Sequence, residues 1–379
     1  MSELTRVLIT GADGFIGRNL ALYLSERTNI EVLKFTRSNE LKILNHLLRS
    51  VDFVFHLAGV NRSKEEYEFT DVNASLTKKI ANEIALIYEQ TGKMIPVIYA
   101  SSTQAALNNS YGLSKLAGEK ALFELNKIHK IPVHIFRLPN VFGKWSRPNY
   151  NSVVSTFCYN IARDIPIKII DPDASIKMVY IDDVVQEFIN IIDRKSLSSS
   201  NREYADVSPK YEITVGALAK KIFSFKDSRN SLIIDRVGNG FTRALYSTYI
   251  SYLPLEKFSY SVPKHSDSRG IFVEMLKTLD SGQFSFFTAI PGAVRGGHYH
   301  HSKTEKFLVV KGQALFRFRN MQTGETHELE TNGENLQIVE TIPGWTHDIT
   351  NQGNEEMIVM LWANEIFNRS LPDTINCPL

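Results

Sequence analysis

Cysteine is scarce in this chain: two residues in 379, Cys158 and Cys377, far apart. That scarcity excludes a disulfide-built scaffold and predicts a reducing, cytoplasmic setting. An excess of one charge is lacking too. Lys and Arg number 43 against 41 Asp and Glu, a net charge of +2. No basic run of the nucleic-acid type occurs, so no nucleic acid is expected as a partner. No apolar run approaches the ~18 residues of a membrane helix, so no membrane partner is expected. The opening MSELTRVLIT lacks the charged-then-apolar layout of a signal peptide. Internal repeats and long low-complexity tracts are absent; the nearest is the serine-rich KSLSSSN at 195–201, which reads as a surface loop. What remains is an ordinary globular composition, 43% hydrophobic and 22% charged. At roughly 100–200 residues per domain, the length predicts two domains.

The two halves differ in texture. Residues 4–10 form a short apolar run that ends in a glycine turn, and residues 15–24 follow with helical spacing. Strands are predicted at 30–35, 51–59, 94–102 and 131–139, and helices at 64–90 and 111–127. The stretch 51–59 is too apolar on both faces for an open surface. This alternation predicts a doubly wound α/β Rossmann-like parallel sheet, followed by less regular segments to about residue 225. From residue 262 helical period vanishes. Runs such as GIFVEML, KFLVVKG, ALFRFRN and EMIVMLW, separated by glycine, proline and asparagine, predict an all-β antiparallel barrel or sandwich. The boundary is expected around 243–255, which gives domains of 1–243 and 244–379.

In the first half, Gly11, Gly14 and Gly17 form G-x-x-G-x-x-G directly after a strand and at the start of a helix. Without side chains the backbone can approach a pyrophosphate, which the N–H groups of a helix N-terminus attract. A dinucleotide site usually carries an acid at the end of the second strand for the ribose 2′-hydroxyl. Here the sequence reads FTRS, with Arg37 and no acid. An arginine suits a 2′-phosphate, so NADPH is the expected cofactor. Tyr111 and Lys115 in YGLSK lie one helical turn apart, on one face. A neighbouring ammonium is expected to lower the tyrosine pKa, so that the phenol can pass a proton near neutral pH. The same spacing recurs at Tyr260/Lys264 and Tyr299/Lys303; only Tyr111 opens a helix just after a parallel strand ending in serines.

These features, together with HLAG at 56–59, Asn73, Ser101–Ser102, RLPNVFG at 137–143 and YIDDVV at 180–185, resemble the extended short-chain dehydrogenase/reductase family over about residues 1–240. The resemblance implies Ser102, Tyr111 and Lys115 as catalytic, with Ser101 the close rival for the serine and a candidate substrate contact. It implies cofactor contacts from Gly11, Gly14, Phe15, Ile16, Gly17, Arg37, Leu57, Ala58, Gly59 and Asn73, besides Tyr111 and Lys115. Asn140, Arg147 and Asn151 would help hold a nucleotide sugar. Only eight residues separate Ser102 from Tyr111, fewer than in most extended members, so the sugar pocket has a short wall there.

In the second half, Gly292, His298, His300, Glu305 and Gly312 fit G-x5-H-x-H-x4-E-x6-G, and Pro343, Gly344, His347 and Asn351 follow. This resembles the two-part cupin motif. Alternate residues of a strand share a face, so His298 and His300 can both point inward. Glu305 is expected on the neighbouring strand and His347 on a later one. Three imidazoles and a carboxylate suit Zn²⁺ or another divalent transition metal; His301 is expected to point outward. DSRGIFVEML and AVRGGHYHH also resemble metal-independent epimerases of 4-keto-6-deoxyhexose nucleotides, in which the histidine at the place of His298 is a base. His298 therefore carries two readings, ligand and base.

The fusion resembles, along the whole chain, the bifunctional nucleotide-sugar enzymes of capsule and O-antigen synthesis. That resemblance implies a UDP-2-acetamido-2,6-dideoxy-4-hexulose as substrate. The second domain would epimerise C3 and the first would then reduce the C4 ketone with NADPH. The product would be UDP-2-acetamido-2,6-dideoxy-L-talose, on the route to N-acetyl-L-fucosamine, made by a homodimer. Two alternatives stand beside it: a reductase whose cupin is only a dimerisation arm, and a non-catalytic NADP(H) sensor with an effector-binding cupin.

Overall fold

The computed structural model describes residues 4–62, 67–193, 204–370 and 372–379. The serine-rich stretch at 195–201 and the start of the helix expected from residue 64 lie outside them. The described residues form two compact units, 4–220 with 244–253, and 221–243 with 254–379. The cut expected between 243 and 244 falls inside a helix, Gly240–Ile250, whose Ala244, Leu245, Thr248 and Tyr249 are buried. The chain therefore changes unit within a helix, where no composition shift marks it.

The first unit is built on five parallel strands: β1 Thr5–Thr10, β2 Ile30–Phe35, β3 Phe53–His56, β4 Val97–Ser102 and β5 Val133–Leu138. Their order is β2-β1-β3-β4-β5. Val7, Leu8 and Ile9 are all buried, as a sheet covered on both faces requires. Helices Phe15–Ser25, Leu41–Ser50, Leu76–Thr91 and Ser110–His129 cover it. The second of these has no counterpart in the predicted elements; Leu44 and Leu48, one turn apart, are its buried contacts. Asn109 sets the start of the last helix by accepting the Gly112 N–H, at 2.7 Å. A smaller sheet follows, from β6 Asn140–Phe142, β7 Ser175–Tyr180 and β8 Tyr211–Thr214.

The order of the large sheet reverses at β1. The chain leaves β1 for β2 on one side and returns to β3 on the other, which opens a crevice at the carboxyl ends of β1 and β3. The glycine turn and HLAG lie at those two strand ends.

The second unit consists of β9 Ile233–Ile234, β10 Lys264–Asp267, β11 Gly270–Thr278, β12 Gly282–Ala289, β13 Val294–Tyr299, β14 Glu305–Lys311, β15 Gln313–Asn320, β16 Thr326–Asn332, β17 Ile338–Glu340, β18 Trp345–Asn351, β19 Met357–Ala363 and β20 Ile375–Asn376. One sheet runs β10-β11-β12-β19-β14-β17, with β9 beside β11; the other runs β16-β15-β18-β13-β20. Inward side chains of both, including Phe287, Phe307, Val309, Phe316 and Ile349, form one apolar core.

Candidate active sites

Gly11 ends β1 at φ +68°, and a Cβ there would stand 2.7 Å from the backbone of Ala58. The absent side chain is what lets the ends of β1 and β3 meet. A Cβ on Gly17 would fall 2.3 Å from the Gly11 carbonyl, so the helix can seat against the turn only with glycine there. Gly14 caps that helix with extended backbone and no capping side chain, which leaves the first N–H groups directed at the crevice. Phe15 and Ile16 form its first turn, half-buried.

The loop after β3 is held by a chain of hydrogen bonds through His56. Thr77 gives its one hydroxyl proton to the Asn73 carbonyl, at 2.5 Å. His56 must therefore donate from Nε2 to Thr77 Oγ1, at 2.8 Å, and accept at Nδ1 from Thr10 Oγ1, at 2.7 Å. Thr10 in turn accepts the Ala58 N–H, at 3.3 Å. Burial pushes the His56 pKa down to about 3, helped by the charge of Lys115, so the ring is neutral. Asn73, expected at the cofactor, is fully buried: its amide bonds Val60 on both sides of the peptide and donates to Ser114. It shapes the loop carrying Leu57, Ala58 and Gly59 and does not itself face the crevice.

At the end of β4 the two serines separate. Ser101 is buried and donates to Glu119 Oε1, at 2.5 Å. Glu119 is also paired with Arg137, at 2.6 Å. Ser101 is thus engaged by Glu119 of a partly buried ion pair. Ser102 instead faces Tyr111, whose pKa its hydroxyl pulls down, and accepts the Gln104 N–H. Lys115 is buried and donates to the Ala100 carbonyl, at 2.7 Å, with its ammonium 4.4 Å above the Tyr99 ring. Burial lowers its pKa to about 7, against the pull of Glu119. The Tyr111 pKa is raised, because burial outweighs the Ser102 hydrogen bond. Burial thus opposes the expected lowering by an ammonium, and the phenol is protonated at neutral pH.

Arg37 is exposed just past β2 and makes no hydrogen bond or ion pair with any described residue. Thr36, before it, is tied back by Asn39. Asn140 donates to the Lys177 carbonyl, at 3.1 Å, and Asn151 accepts from Arg62, at 3.3 Å. Arg147 lies over the Tyr150 ring and borders a cleft of about 380 Å³ with Arg18, Tyr159 and Arg163. Among the described residues, none of Asn140, Arg147 and Asn151 hydrogen-bonds Ser102, Tyr111 or Lys115.

In the second unit, His298, His300, Glu305 and His347 place one ligand atom each within 4.8 Å of one another. His347 is on β18, directly across from His298 on β13. Glu305 is not on a strand neighbouring β13 but opens β14, in the opposite sheet. The expected order of strands is corrected accordingly: His298 and His347 come from one sheet, His300 from the residue just past β13, and the carboxylate from the other sheet. A bulge between Gly296 and His298 makes the fit. Gly296 and Gly297 stand at φ +101° and +77°, and a Cβ on Gly296 would meet the His347 carbonyl at 2.8 Å. His301 is exposed, as expected.

The donor set fits a divalent metal. His347 Nε2 is buried and makes no hydrogen bond, although Glu305 Oε2 lies 3.5 Å away. His300 Nε2 is 3.3 Å from the same oxygen. The other oxygen, Oε1, meets Lys303 Nζ at 2.9 Å. Burial alone would raise the Glu305 carboxyl; His300, His347 and Lys303 outweigh it and hold it well below the ordinary range. Burial lowers His298 to about 4, with the His347 charge adding to it. His298 also borders a cavity of about 230 Å³, lined by Glu274, Gln283, Lys303, Glu305 and Thr374 among others. Lys303, which the sequence offered only as part of a recurring Tyr/Lys spacing, both pairs with Glu305 and lines the cavity.

Residues 7–205 match the NAD dependent epimerase/dehydratase family, and residues 265–375 match the polysaccharide biosynthesis C-terminal domain. The chain is 59% identical over 372 residues to a UDP-2-acetamido-2,6-beta-L-arabino-hexul-4-ose reductase of Pseudomonas aeruginosa, covering 98% of each. It is similar to the crystal structure of the capsular polysaccharide assembling protein CapF from Staphylococcus aureus, at 38% identity and a TM-score of 0.89, covering 98% of this chain and 100% of that one. A Bacillus cereus UDP-glucuronic acid 4-epimerase, solved with NAD, shares the fold at 19% identity and a TM-score of 0.52, over 59% of this chain and 84% of that one.

Proposed function

The chain belongs to the NAD dependent epimerase/dehydratase family, and from that premise we propose that it epimerises C3 of a UDP-2-acetamido-2,6-dideoxy-4-hexulose and then reduces C4. The coarser activity, nucleotide-sugar 4-reduction with a nicotinamide cofactor, follows from the family and from the Pseudomonas relative. One observation carries the finer reading: a single chain holds two acid–base sites, Ser102/Tyr111/Lys115 and the His298 cluster.

The chemistry orders them. A ketone at C4 acidifies the C3 proton, and reduction destroys that ketone, so epimerisation comes first. In the second unit, neutral His298, at the edge of the cavity, takes the C3 proton or holds the metal; Lys303 lies beside it. A divalent metal such as Zn²⁺, when bound, would polarise the C4 carbonyl; His300, Glu305 and His347 would hold it, with His298 completing the set. In the first unit, NADPH, when bound at the glycine turn, would supply the hydride. Ser102 orients the C4 oxygen, Tyr111 gives that oxygen its proton, and the Lys115 charge favours the transfer. The unpartnered Arg37 at the end of β2 supports NADPH over NADH. The product is UDP-2-acetamido-2,6-dideoxy-L-talose, a precursor for N-acetyl-L-fucosamine in surface polysaccharide.

The test is the reaction of the 4-keto UDP-sugar with NADPH in D₂O, read by NMR. The expected product is the talose epimer with deuterium at C3. An alcohol of unchanged C3 configuration, free of deuterium, would leave a reductase alone.

A further inference from the structure

The segment after residue 372 crosses the His/Glu cluster. Its β20 pairs with β13, Asn376 opposite His298 and Ile375 opposite Tyr299, and Cys377 N–H donates to the Gly297 carbonyl at 2.8 Å. Asp373 does more. Its carbonyl accepts from His300 Nδ1, at 2.5 Å. Its carboxylate accepts the N–H groups of His301, Ser302 and Lys303, at 2.7–2.8 Å, and the Ser302 hydroxyl, at 2.9 Å. Thr346 and Arg319 hold the far end, at the carbonyls of Cys377 and Pro378. Thr374 lines the cavity, and its buried hydroxyl has no hydrogen-bond partner.

We propose that Asp373–Pro378 is a strap that positions the epimerase site, with Asp373 as the positioning residue for His300 and Lys303. A carbonyl can only accept, so the contact requires the proton on Nδ1 of His300. In the neutral ring that leaves the Nε2 lone pair facing Glu305 and His347. The carboxylate clamp fixes the backbone of residues 301–303. That backbone presents Lys303 to Glu305 Oε1 and leaves Oε2 turned to the histidines. Outer groups that orient ligating histidines and carboxylates have this effect on metal sites generally.

The strap rests on the metal reading only for its second readout. The first needs no metal. Long-range ¹H–¹⁵N spectra of the full-length protein, with His300 assigned, should show the Nδ1–H tautomer in the wild type and its loss in a chain ending at residue 372. Should that truncation fail to fold, Asp373→Pro replaces it, because it forces a local backbone change while keeping the chain's length. Retention of the tautomer in a folded variant would overturn the proposal. For the second readout, Zn²⁺ affinity is measured by chelator competition and the site's symmetry by Co²⁺ absorption. Asp373→Ala should lower affinity roughly 10–100-fold and change the Co²⁺ spectrum. Asp373→Asn, which keeps an accepting oxygen, should recover part of the loss. Wild-type affinity and spectrum in Asp373→Ala would overturn the clamp. A wild type that binds neither ion, yet fixes its tautomer through the strap, would remove the metal reading and leave the strap standing.

Discussion

Replacing Tyr111 by Phe should separate the two reactions. The substitution keeps the ring against Phe69, 5.9 Å away between centroids, and deletes the hydroxyl that Ser102 meets. Even a full hydrogen bond lost there costs only about 0.5–1.5 kcal/mol. At about 2–4 °C per kcal/mol for a unit of this size, melting falls by no more than about 6 °C. The protein stays folded, so any larger loss of activity is chemical. Tyr111 holds its proton into the alkaline range because it is buried, and in the proposed reduction it is the group that would protonate the C4 oxygen. Without it, reduction should fall roughly 10²–10⁴-fold, the usual share of general acid catalysis. The assay has two arms, NADPH oxidation with the keto sugar and deuterium entry at C3 from D₂O without cofactor. Tyr111→Phe should fail in the first arm and keep the second, whereas His298→Ala should lose deuterium entry and still oxidise NADPH. A Tyr111→Phe protein that reduces at the normal rate refutes the proton-donor role. One that folds and binds NADPH but no longer exchanges C3 refutes the division between two sites.

Other outcomes follow from the same structure. Arg37→Ala should weaken NADPH binding by about 1.5–3 kcal/mol, the range for a hydrogen bond to a charged group, and leave NADH binding unchanged; equal loss of both would show that Arg37 does not read the 2′-phosphate. His347→Ala should abolish stoichiometric metal by elemental analysis and remove any metal-dependent rise in melting temperature, since metal binding adds to folding free energy. Because burial holds Lys115 at about 7, its charge disappears as pH rises through that value, so reduction should decline on the alkaline side of pH 7; a flat profile from pH 6 to 9 would show another group in control. His56 has a folded pKa of about 3 against 6.5 when unfolded. It thus contributes stability above pH 6.5 that is lost as pH falls toward 3, at most about 5 kcal/mol at about 1.4 kcal/mol per unit. Protection of the Val7–Ile9 amides, followed against pH, should fall less steeply in His56→Asn than in the wild type.

How much of this was legible in the sequence depends on the distance over which each signal acts. The glycine turn, the Tyr111/Lys115 pair and the His298/His300 pair are local: helical and strand periods alone put those side chains on one face. The alternation of apolar strands and helices marked the parallel sheet, and the glycine-punctuated strands marked the antiparallel unit, for the same reason. That residues 221–243 group with the second unit and 244–253 with the first was not legible, because a helix carries one period through the change. Strand alternation separates Ser101 from Ser102 but does not say which one meets the tyrosine. The packing of helix Ser110–His129 decides that, by placing Glu119 against Ser101 and Tyr111 against Ser102. Sequence order suggested that Glu305 would neighbour His298, yet hydrogen bonding within one sheet made His347 the neighbour, and the packing of the two sheets brought Glu305 from the opposite face. Asp373 stands 73 residues from the histidine it orients, in a stretch with no motif. Periodicity says what a residue can face within its own element; which groups arrive opposite it is decided only when distant elements pack together.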